Sequence, residues 1–205
     1  IQETICFQRP IWLTSVMAIA SISRPRVRRL WTFDEMVAKL PETNMPTELW
    51  DGEIIMSPAP RPSHQEIVLN FASVLKHFVT AKKLGKVFVS PIDVVLSQRR
   101  VVQPDIIFIA KARFEIVQDC IRGVPDLAVE VISEGSWRRD RVDKKGLYEQ
   151  FGLPEYWIVD PESQTIEVFV LDKGAHRLHA RAGLGQTAVS RILPGFNLNW
   201  EQLVA

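Results

Sequence analysis

Residues 126–160 of the chain have the pattern of a strand, a helix and a second strand. Asp126–Ile132 (DLAVEVI) is a mostly apolar run of strand length, with Glu130 inside it. Arg138–Phe151 is predicted to be a helix that ends at Gly152, and Glu155–Asp160 (EYWIVD) is predicted to be the next strand. Alternating strands and helices of this kind indicate an α/β fold.

The segments before this unit are predicted from turn residues and helical spacing. Thr32–Leu40 is predicted to be a short helix capped by Thr32, and Glu48–Met56 a hairpin around an Asp-Gly turn. A capping box formed by Ser63 and Glu66, followed by apolar residues at helical spacing, predicts a longer helix.

Three further segments complete the predicted architecture. Lys86–Val95 and Val101–Ala110 are predicted to be strands, and Thr165–Leu171 is predicted to pair with the preceding strand as a second hairpin. The order helix, strand, strand, strand, helix, strand predicts a mixed central sheet flanked by helices. Residues 172–205 are expected to add a peripheral strand or two.

The composition bounds the class of protein. A chain of 205 residues can bury a sizeable core as one domain. Two cysteines, Cys6 and Cys120, exclude a disulfide scaffold and any metal cluster built on cysteine alone. The chain has 25 Lys and Arg residues and 24 Asp and Glu residues, which excludes the global basic charge of a nucleic-acid coat protein. A local basic patch is still compatible with this composition. The chain has no P-loop, GxGxxG or HExxH motif.

The N-terminal residues are expected to lie outside this domain. Ile11–Ala20 is apolar but too short for a membrane span, and Glu3 is unusual in a secretory leader. Residues 1–28 are therefore predicted to be a disordered or peripheral extension, and residues 29–205 a single domain. A cytoplasmic protein without membrane contact is the corresponding expectation.

Asp105, Glu130 and Lys144 are ionisable residues at positions where the pattern calls for apolar ones. Asp105 borders the apolar run 106–109, and Glu130 lies within a strand that should be buried on both faces. On a helical projection of about 100° per residue, Lys144 lies at the centre of the apolar stripe, whereas Lys145 faces water. Glu130 is the nearest partner in sequence for Lys144.

Two interpretations of these residues remain open. A buried Glu130–Lys144 ion pair can simply stabilise the fold. However, one lysine cannot neutralise both Asp105 and Glu130, and a divalent cation with oxygen ligands would resolve that mismatch.

Other polar residues have similar alternatives. His64 points inward from the first turn of its helix, either as a core-edge histidine or as a third metal ligand. The pattern favours an exposed edge position for Glu48 over a place near the site. The basic residues around the predicted helix Arg138–Phe151 form either a solvated face balanced by Asp140 and Asp143 or a surface that follows DNA phosphates. They are Arg138, Arg139, Arg141, Lys144 and Lys145.

Several stretches in the same order resemble one nuclease family. They are ELWDGE at 48–53, SHQ at 63–65, VQPD at 102–105, GVPDLAVEVIS at 123–133, Arg139-Asp140-x3-Lys144-x3-Tyr148 and GLPEYWIVDP at 152–161. This set resembles the PD-(D/E)XK nuclease superfamily and, more narrowly, the Uma-type restriction endonuclease family, from about residue 31 to residue 171. One departure from the superfamily motif is Ile132, which stands where the lysine is expected. In the Uma-type variant the following helix supplies that lysine, which matches Lys144.

The resemblance implies a restriction-endonuclease-like αβββαβ core with Asp105 and Glu130 on adjacent strands. It also implies Mg²⁺- or Mn²⁺-dependent hydrolysis of DNA phosphodiester bonds. Asp105, Glu130 and the backbone carbonyl of Val131 would hold the metal, with His64 as a further candidate ligand. Lys144 would orient the attacking water, and Glu48 and Tyr148 are candidate accessory residues.

The sequence therefore leaves two functions from different classes. The first is an active metal-dependent DNA endonuclease, for which a homodimer is plausible because a double-strand cut requires two sites. The second is a catalytically inactive protein that uses the nuclease fold for DNA binding or assembly. Retention of Asp105, Glu130 and Lys144 favours the first.

Overall fold

The computed structural model describes residues 29–41, 45–133, 135 and 138–205. Its α-helices are α1 (Phe33–Lys39), α2 (Pro62–Ala81) and α3 (Lys145–Phe151). Its strands are β1 (Thr47–Trp50), β2 (Glu53–Met56), β3 (Gly85–Val89), β4 (Val94–Ser97), β5 (Arg100–Val102), β6 (Ile106–Ala110), β7 (Ile121–Arg122), β8 (Leu127–Val131), β9 (Glu155–Asp160), β10 (Thr165–Asp172), β11 (Ala175–Ala182), β12 (Thr187–Val189) and β13 (Asn197–Asn199). A π-helical segment, Arg139–Lys144, leads into α3, and 3₁₀ segments lie at Lys111–Ile116 and Glu201–Leu203.

A six-stranded mixed sheet with the order β11-β10-β9-β8-β6-β3 forms the centre of the fold. The β8–β9 pair is parallel and is joined through α3, whereas the other neighbouring strands are antiparallel. Helix α2 packs on one face of this sheet, and α3 packs on the other. The elements α2, β3, β6, β8, α3 and β9 thus confirm the predicted αβββαβ core.

A second sheet, of order β2-β1-β5-β4-β7, packs on the same face of the central sheet as α3. The sequence analysis was wrong here, because it assigned residues 86–95 and 101–110 to two long strands. Each of these segments contributes one short strand to each sheet. Pro91 and Pro104 explain the division, since proline has no N–H with which to continue a ladder.

The helix starts follow local sequence to different degrees. Thr32 caps α1 as predicted, and Glu35 completes a capping box with it. Helix α2 begins at Pro62 with no side-chain cap, so the predicted capping box of Ser63 and Glu66 is wrong. Proline at the first helical position has the φ angle that the helix requires, and the N-cap is Arg61, two residues earlier than the box predicts.

The C-terminal residues contribute more than the peripheral strand or two that were expected. They form β11, β12 and β13 and place a group of buried apolar side chains against α2: Leu193, Phe196, Leu198, Trp200 and Leu203. The ring of Phe196 lies 5.8 Å from Trp157 and 6.4 Å from Phe71, measured between centroids. This segment therefore completes the core on the α2 face of the central sheet.

The predicted extension at residues 1–28 lies outside the described residues. Within the residues that are described, no helix is both long enough and apolar enough to cross a membrane.

Candidate active site

Glu130 points from β8 toward α3, where Lys144 reaches it. The strand alternates, so that Leu127, Val129 and Val131 pack on the α2 side and Glu130 faces the opposite side. Lys144 Nζ lies 2.7 Å from Glu130 Oε1.

The same carboxylate oxygen accepts a hydrogen bond from Tyr148 Oη at 3.1 Å. Lys144 is only 5% exposed, while the side chain of Lys145 is partly exposed and pairs with Glu149. These contacts confirm the predicted inward direction of Lys144 and bring the accessory candidate Tyr148 to Glu130.

Glu48 enters this cluster from the second sheet. Its Oε1 lies 3.2 Å from Lys144 Nζ, and the residue is 4% exposed. The expectation of an exposed edge glutamate is therefore wrong. The error arises because the sequence gives no sign that β1, as a strand of the second sheet, brings Glu48 to Lys144.

Asp140 is a third carboxylate near the same ammonium group. Its Oδ1 lies 3.8 Å from Lys144 Nζ, and the residue is buried. The interpretation in which Asp140 balances a solvated basic face is wrong for this residue. The spacing of four residues between Asp140 and Lys144 on a helical segment is a signal that would have predicted their contact.

Burial and the surplus of acids shift the pKa values of this cluster in different directions. Burial raises the pKa of Glu130 well above its usual range, and Asp140, Asp105 and Glu48 raise it further against the opposing effect of Lys144. Burial alone also raises the pKa of Glu48, but Lys144 and the donors Gln103 and Trp50 outweigh it and leave the pKa lowered. Of Glu130 and Glu48, Glu130 is thus the acid that more strongly favours a proton or another cation.

Lys144 remains charged despite its burial. Burial by itself lowers the pKa of Lys144, but the charges of Glu130, Glu48 and Asp140 together raise it well above its usual value. An ammonium group surrounded by three carboxylates supplies a fixed positive charge at the end of β8.

Asp105 lies beside this cluster at the start of β6. The register pairs Ile106 with Val129, so one more step along the two strands sets Asp105 opposite Glu130. Asp105 Oδ2 accepts a hydrogen bond from the Val131 N–H at 2.7 Å. This confirms that the two predicted acids come from adjacent strands and lie at the same end of the sheet.

His64 approaches Asp105 from the first turn of α2. Its Nε2 lies 3.3 Å from Asp105 Oδ2. Burial lowers the pKa of His64, but the hydrogen bond and charge of Asp105, with the Val131 backbone, outweigh it and leave the pKa raised. Among the described residues, His64 Nδ1 is buried without a hydrogen-bond partner.

The basic residues of the π-helical segment and the start of α3 differ in how strongly they are paired with acids. Arg141 contacts Glu167 and lies 3.1 Å from Asp160, and Lys145 Nζ lies 2.9 Å from Glu149. Asp160, Glu167 and Glu149, which are not the predicted acids Asp140 and Asp143, thus help to balance these two charges. Arg139 donates to Ser57 Oγ at 3.1 Å, and Arg138 is exposed. The helix keeps positive charge on its surface mainly at its N-terminal end.

Comparisons with known proteins bear on this arrangement. A family model named Uma2, described as "Putative restriction endonuclease", matches residues 33–201. The chain belongs to the Uma2 family.

A solved structure supports the fold of this Uma2 chain. It is the crystal structure of "a putative nuclease belonging to DUF820" from Anabaena variabilis ATCC 29413, with a TM-score of 0.69 and 21% identity. The match covers 84% of this chain and 96% of that chain. No curated protein matches the sequence. Membership in the Uma2 family supports a nuclease-like function.

The Uma2 site also contains residues that the sequence analysis did not single out. Gln103 and Trp50 hold Glu48: the Gln103 N–H donates to Oε1 and the Trp50 indole N–H donates to Oε2, both at 3.0 Å. The Gln103 side chain also joins Asp93 to the Thr47 N–H. Both residues lie in stretches that carry the family resemblance, ELWDGE and VQPD, but these stretches do not indicate that β1 contacts the segment after β5.

The candidate donors are mainly oxygen atoms, which suit a hard divalent cation such as Mg²⁺ or Mn²⁺. Within the described ranges, no group of three or more His, Cys, Asp or Glu side chains is arranged to hold a metal ion. Mg²⁺ commonly binds through one or two carboxylates and retains several waters. Asp105 and Glu130 can supply those carboxylates. Burial is the main cause of the raised pKa of Glu130, and the charges of Asp140, Asp105 and Glu48, which a cation would offset, raise it further.

Proposed function

We propose that this chain is a Mg²⁺- or Mn²⁺-dependent endonuclease that hydrolyses phosphodiester bonds of DNA. The observation that supports the proposal is that Asp105 accepts from the Val131 N–H at the same end of the central sheet where Glu130 and Glu48 both contact Lys144, so that, among the described residues, several acids lie around one ammonium group. A purely structural ion pair would need one acid for one lysine. Here the additional acids leave capacity for a divalent ion.

In this proposal Asp105, Glu130 and the Val131 carbonyl hold the metal, which would polarise the scissile phosphate and lower the pKa of a bound water. Lys144 orients the attacking water and offsets charge that develops on the phosphate oxygens. Tyr148 fixes the Glu130 carboxylate through its hydroxyl hydrogen bond.

His64 has a supporting place beside Asp105 in the same proposal. Its Nε2 already contacts Asp105, and its unpaired Nδ1 can turn to a metal-bound water or to the metal when the ring reorients. Arg138 and Arg139, at the start of the π-helical segment that leads into α3, are the basic residues best placed to contact DNA phosphates, because Arg141 and Lys145 are paired with acids.

The test is cleavage of supercoiled plasmid DNA in Mg²⁺, Mn²⁺ or EDTA. Wild-type protein should nick or linearise the plasmid in either metal and should be inactive in EDTA. Asp105→Asn, Glu130→Gln and Lys144→Met should each reduce the rate by at least about a hundredfold, as expected for groups that act on the transition state. Lys145→Met is the matched control, since it removes the neighbouring lysine and should retain wild-type activity.

One observation favours the second function, an inactive nuclease fold that binds DNA or assembles with other proteins. Glu48, Glu130, Asp140 and Lys144 are each at most 5% exposed, so the cluster is largely closed to solvent. Thermal melts with increasing Mg²⁺ separate the two. An active site should gain about 2.7 kcal/mol at a hundred times Kd, and an idle scaffold should gain nothing. DNA binding without Mg²⁺ stabilisation or cleavage would support the second function.

A further inference from the structure

Glu48 is oriented by contacts that do not involve the central sheet. The Trp50 indole N–H donates to Oε2 and the Gln103 N–H donates to Oε1. Both donors belong to the second sheet or to the segment that directly follows β5. The position of the Glu48 carboxylate is therefore fixed independently of β8 and of Glu130.

Lys144 has three acidic neighbours at different distances. Glu130 is the nearest at 2.7 Å, Glu48 follows at 3.2 Å, and Asp140 lies at 3.8 Å. A carboxylate that binds a divalent cation directs much of its negative charge toward that cation. Lys144 would then lose most of the attraction of its nearest partner, and Glu48 would become the closest acid still available to hold it.

We propose that Glu48 is a positioning residue that keeps the Lys144 ammonium group in the site when Glu130 engages the divalent metal. This inference rests on the proposed function. Two acids thereby divide two tasks: Glu130 serves the metal, and Glu48, held by Trp50 and Gln103, retains the lysine. Asp140 is too distant to replace Glu48, because its 3.8 Å lies outside the range of about 2.7–3.2 Å for N–H···O hydrogen bonds, whereas the 3.2 Å of Glu48 lies at the limit of that range.

The direct test measures how accessible the Lys144 amine is to a reagent. Reductive methylation followed by mass spectrometry reports the labelling of Lys144, and Lys145 beside it serves as an internal reference. In wild-type protein the labelling of Lys144 should stay low with and without Mg²⁺. In Glu48→Gln it should rise when Mg²⁺ is added, by about tenfold, as expected for the loss of one hydrogen bond between charged groups.

Two variants control for indirect effects. Asp51→Asn removes an exposed carboxylate from the same hairpin and should label like the wild type. Glu48→Asp keeps the charge but shortens its reach, and it should give labelling between wild type and Glu48→Gln. If Glu48→Gln does not fold, the comparison of Glu48→Asp with wild type carries the test. Mg²⁺ binding, measured by titration calorimetry, should be unchanged in the variants that fold.

Cleavage kinetics add a functional measurement. Glu48→Gln should lower kcat by about tenfold or more and leave KM for DNA unchanged, since Glu48 holds a group that acts in the transition state. Unchanged Lys144 labelling and unchanged kcat, in a wild type that cleaves, would overturn the positioning role and leave the nuclease function standing. A loss of Mg²⁺ affinity in Glu48→Gln would instead identify Glu48 as a metal ligand and would also overturn it. A wild type that neither binds Mg²⁺ nor cleaves DNA would refute both proposals.

Discussion

Two buried glutamates on neighbouring parallel strands, Glu130 of β8 and Glu155 of β9, are stabilised in contrasting ways. Both are at most 3% exposed. Among the residues that the structure describes, Glu155 accepts hydrogen bonds from four neutral donors: the Trp157 indole, the Ser190 hydroxyl and the backbone N–H groups of Arg191 and Ile192. Glu130 contacts the charged Lys144 and the Tyr148 hydroxyl, and it lies near further acids.

The difference shows that burial alone does not identify a functional carboxylate. Four neutral donors satisfy both oxygens of Glu155 and attach residues 190–192 to the start of β9, so its role is structural. Glu130 shares one ammonium group with Glu48, and among the described residues the charges of Asp140 and Asp105 also act on it. Burial combined with neighbouring like charges is typical of functional sites.

Lys144→Met should have the largest effect on stability. It removes the ammonium group that the buried Glu48 and Glu130 carboxylates contact and should lower the free energy of unfolding by about 3–5 kcal/mol at neutral pH. Urea melts in EDTA measure the loss. Lys145→Met, which removes only a partly exposed pair with Glu149, should cost less than about 1 kcal/mol. Equal losses for the two lysines would show that the acids around Lys144 do not depend on it.

Glu155→Gln should come second, with a loss of about 3 kcal/mol. The amide retains one acceptor oxygen but turns an N–H₂ group toward buried donors, which leaves them unsatisfied. Urea melts with a matched surface variant, Glu162→Gln, provide the measurement and its control. A loss below about 1 kcal/mol would mean that the contacts of Glu155 contribute little and would weaken its contrast with Glu130.

Glu130→Gln should change metal-free stability by less than about 1 kcal/mol, or increase it, and it should abolish cleavage. Glu48 and Asp140 remain near Lys144, and the substitution removes a carboxylate whose pKa burial has raised. Urea melts in EDTA and plasmid cleavage in Mg²⁺ test the two halves of this prediction. If Glu130 were half of a structural ion pair, the stability loss would instead be about 3–5 kcal/mol.

The smallest effect is expected from His176, near the end of the sheet that holds Glu155. Its Nε2 lies 2.8 Å from the Leu153 carbonyl oxygen, and burial lowers its pKa. The unfolded chain therefore takes up a proton at higher pH than the folded protein, and stability should fall as the pH decreases below about 6.5.

His176→Gln should reduce the difference in unfolding free energy between pH 7.5 and pH 5.5, as measured by urea melts at both pH values. His179→Gln, on the same strand but exposed, controls for the removal of an imidazole as such. An unchanged pH dependence in His176→Gln would show that His176 does not contribute to it.

The sequence predicted those parts of the fold that short-range patterns encode. The Thr32 cap, the Asp51-Gly52 turn and the inward direction of the Lys144 side chain depend on residues a few positions away in sequence. Each was predicted correctly. The division of residues 86–110 between two sheets was missed, because a strand pattern does not state which sheet its residues join.

The sequence by itself thus determined the αβββαβ order and the three residues Asp105, Glu130 and Lys144, since periodicity and polar residues in apolar runs are local properties. The tertiary structure alone decided that Glu48 is buried beside Lys144 and that Glu155 is satisfied by residues 190–192. These contacts join residues 35–96 positions apart in sequence. Such contacts depend on how sheets and segments pack, and only the packing determines whether a buried carboxylate meets a cation or neutral donors.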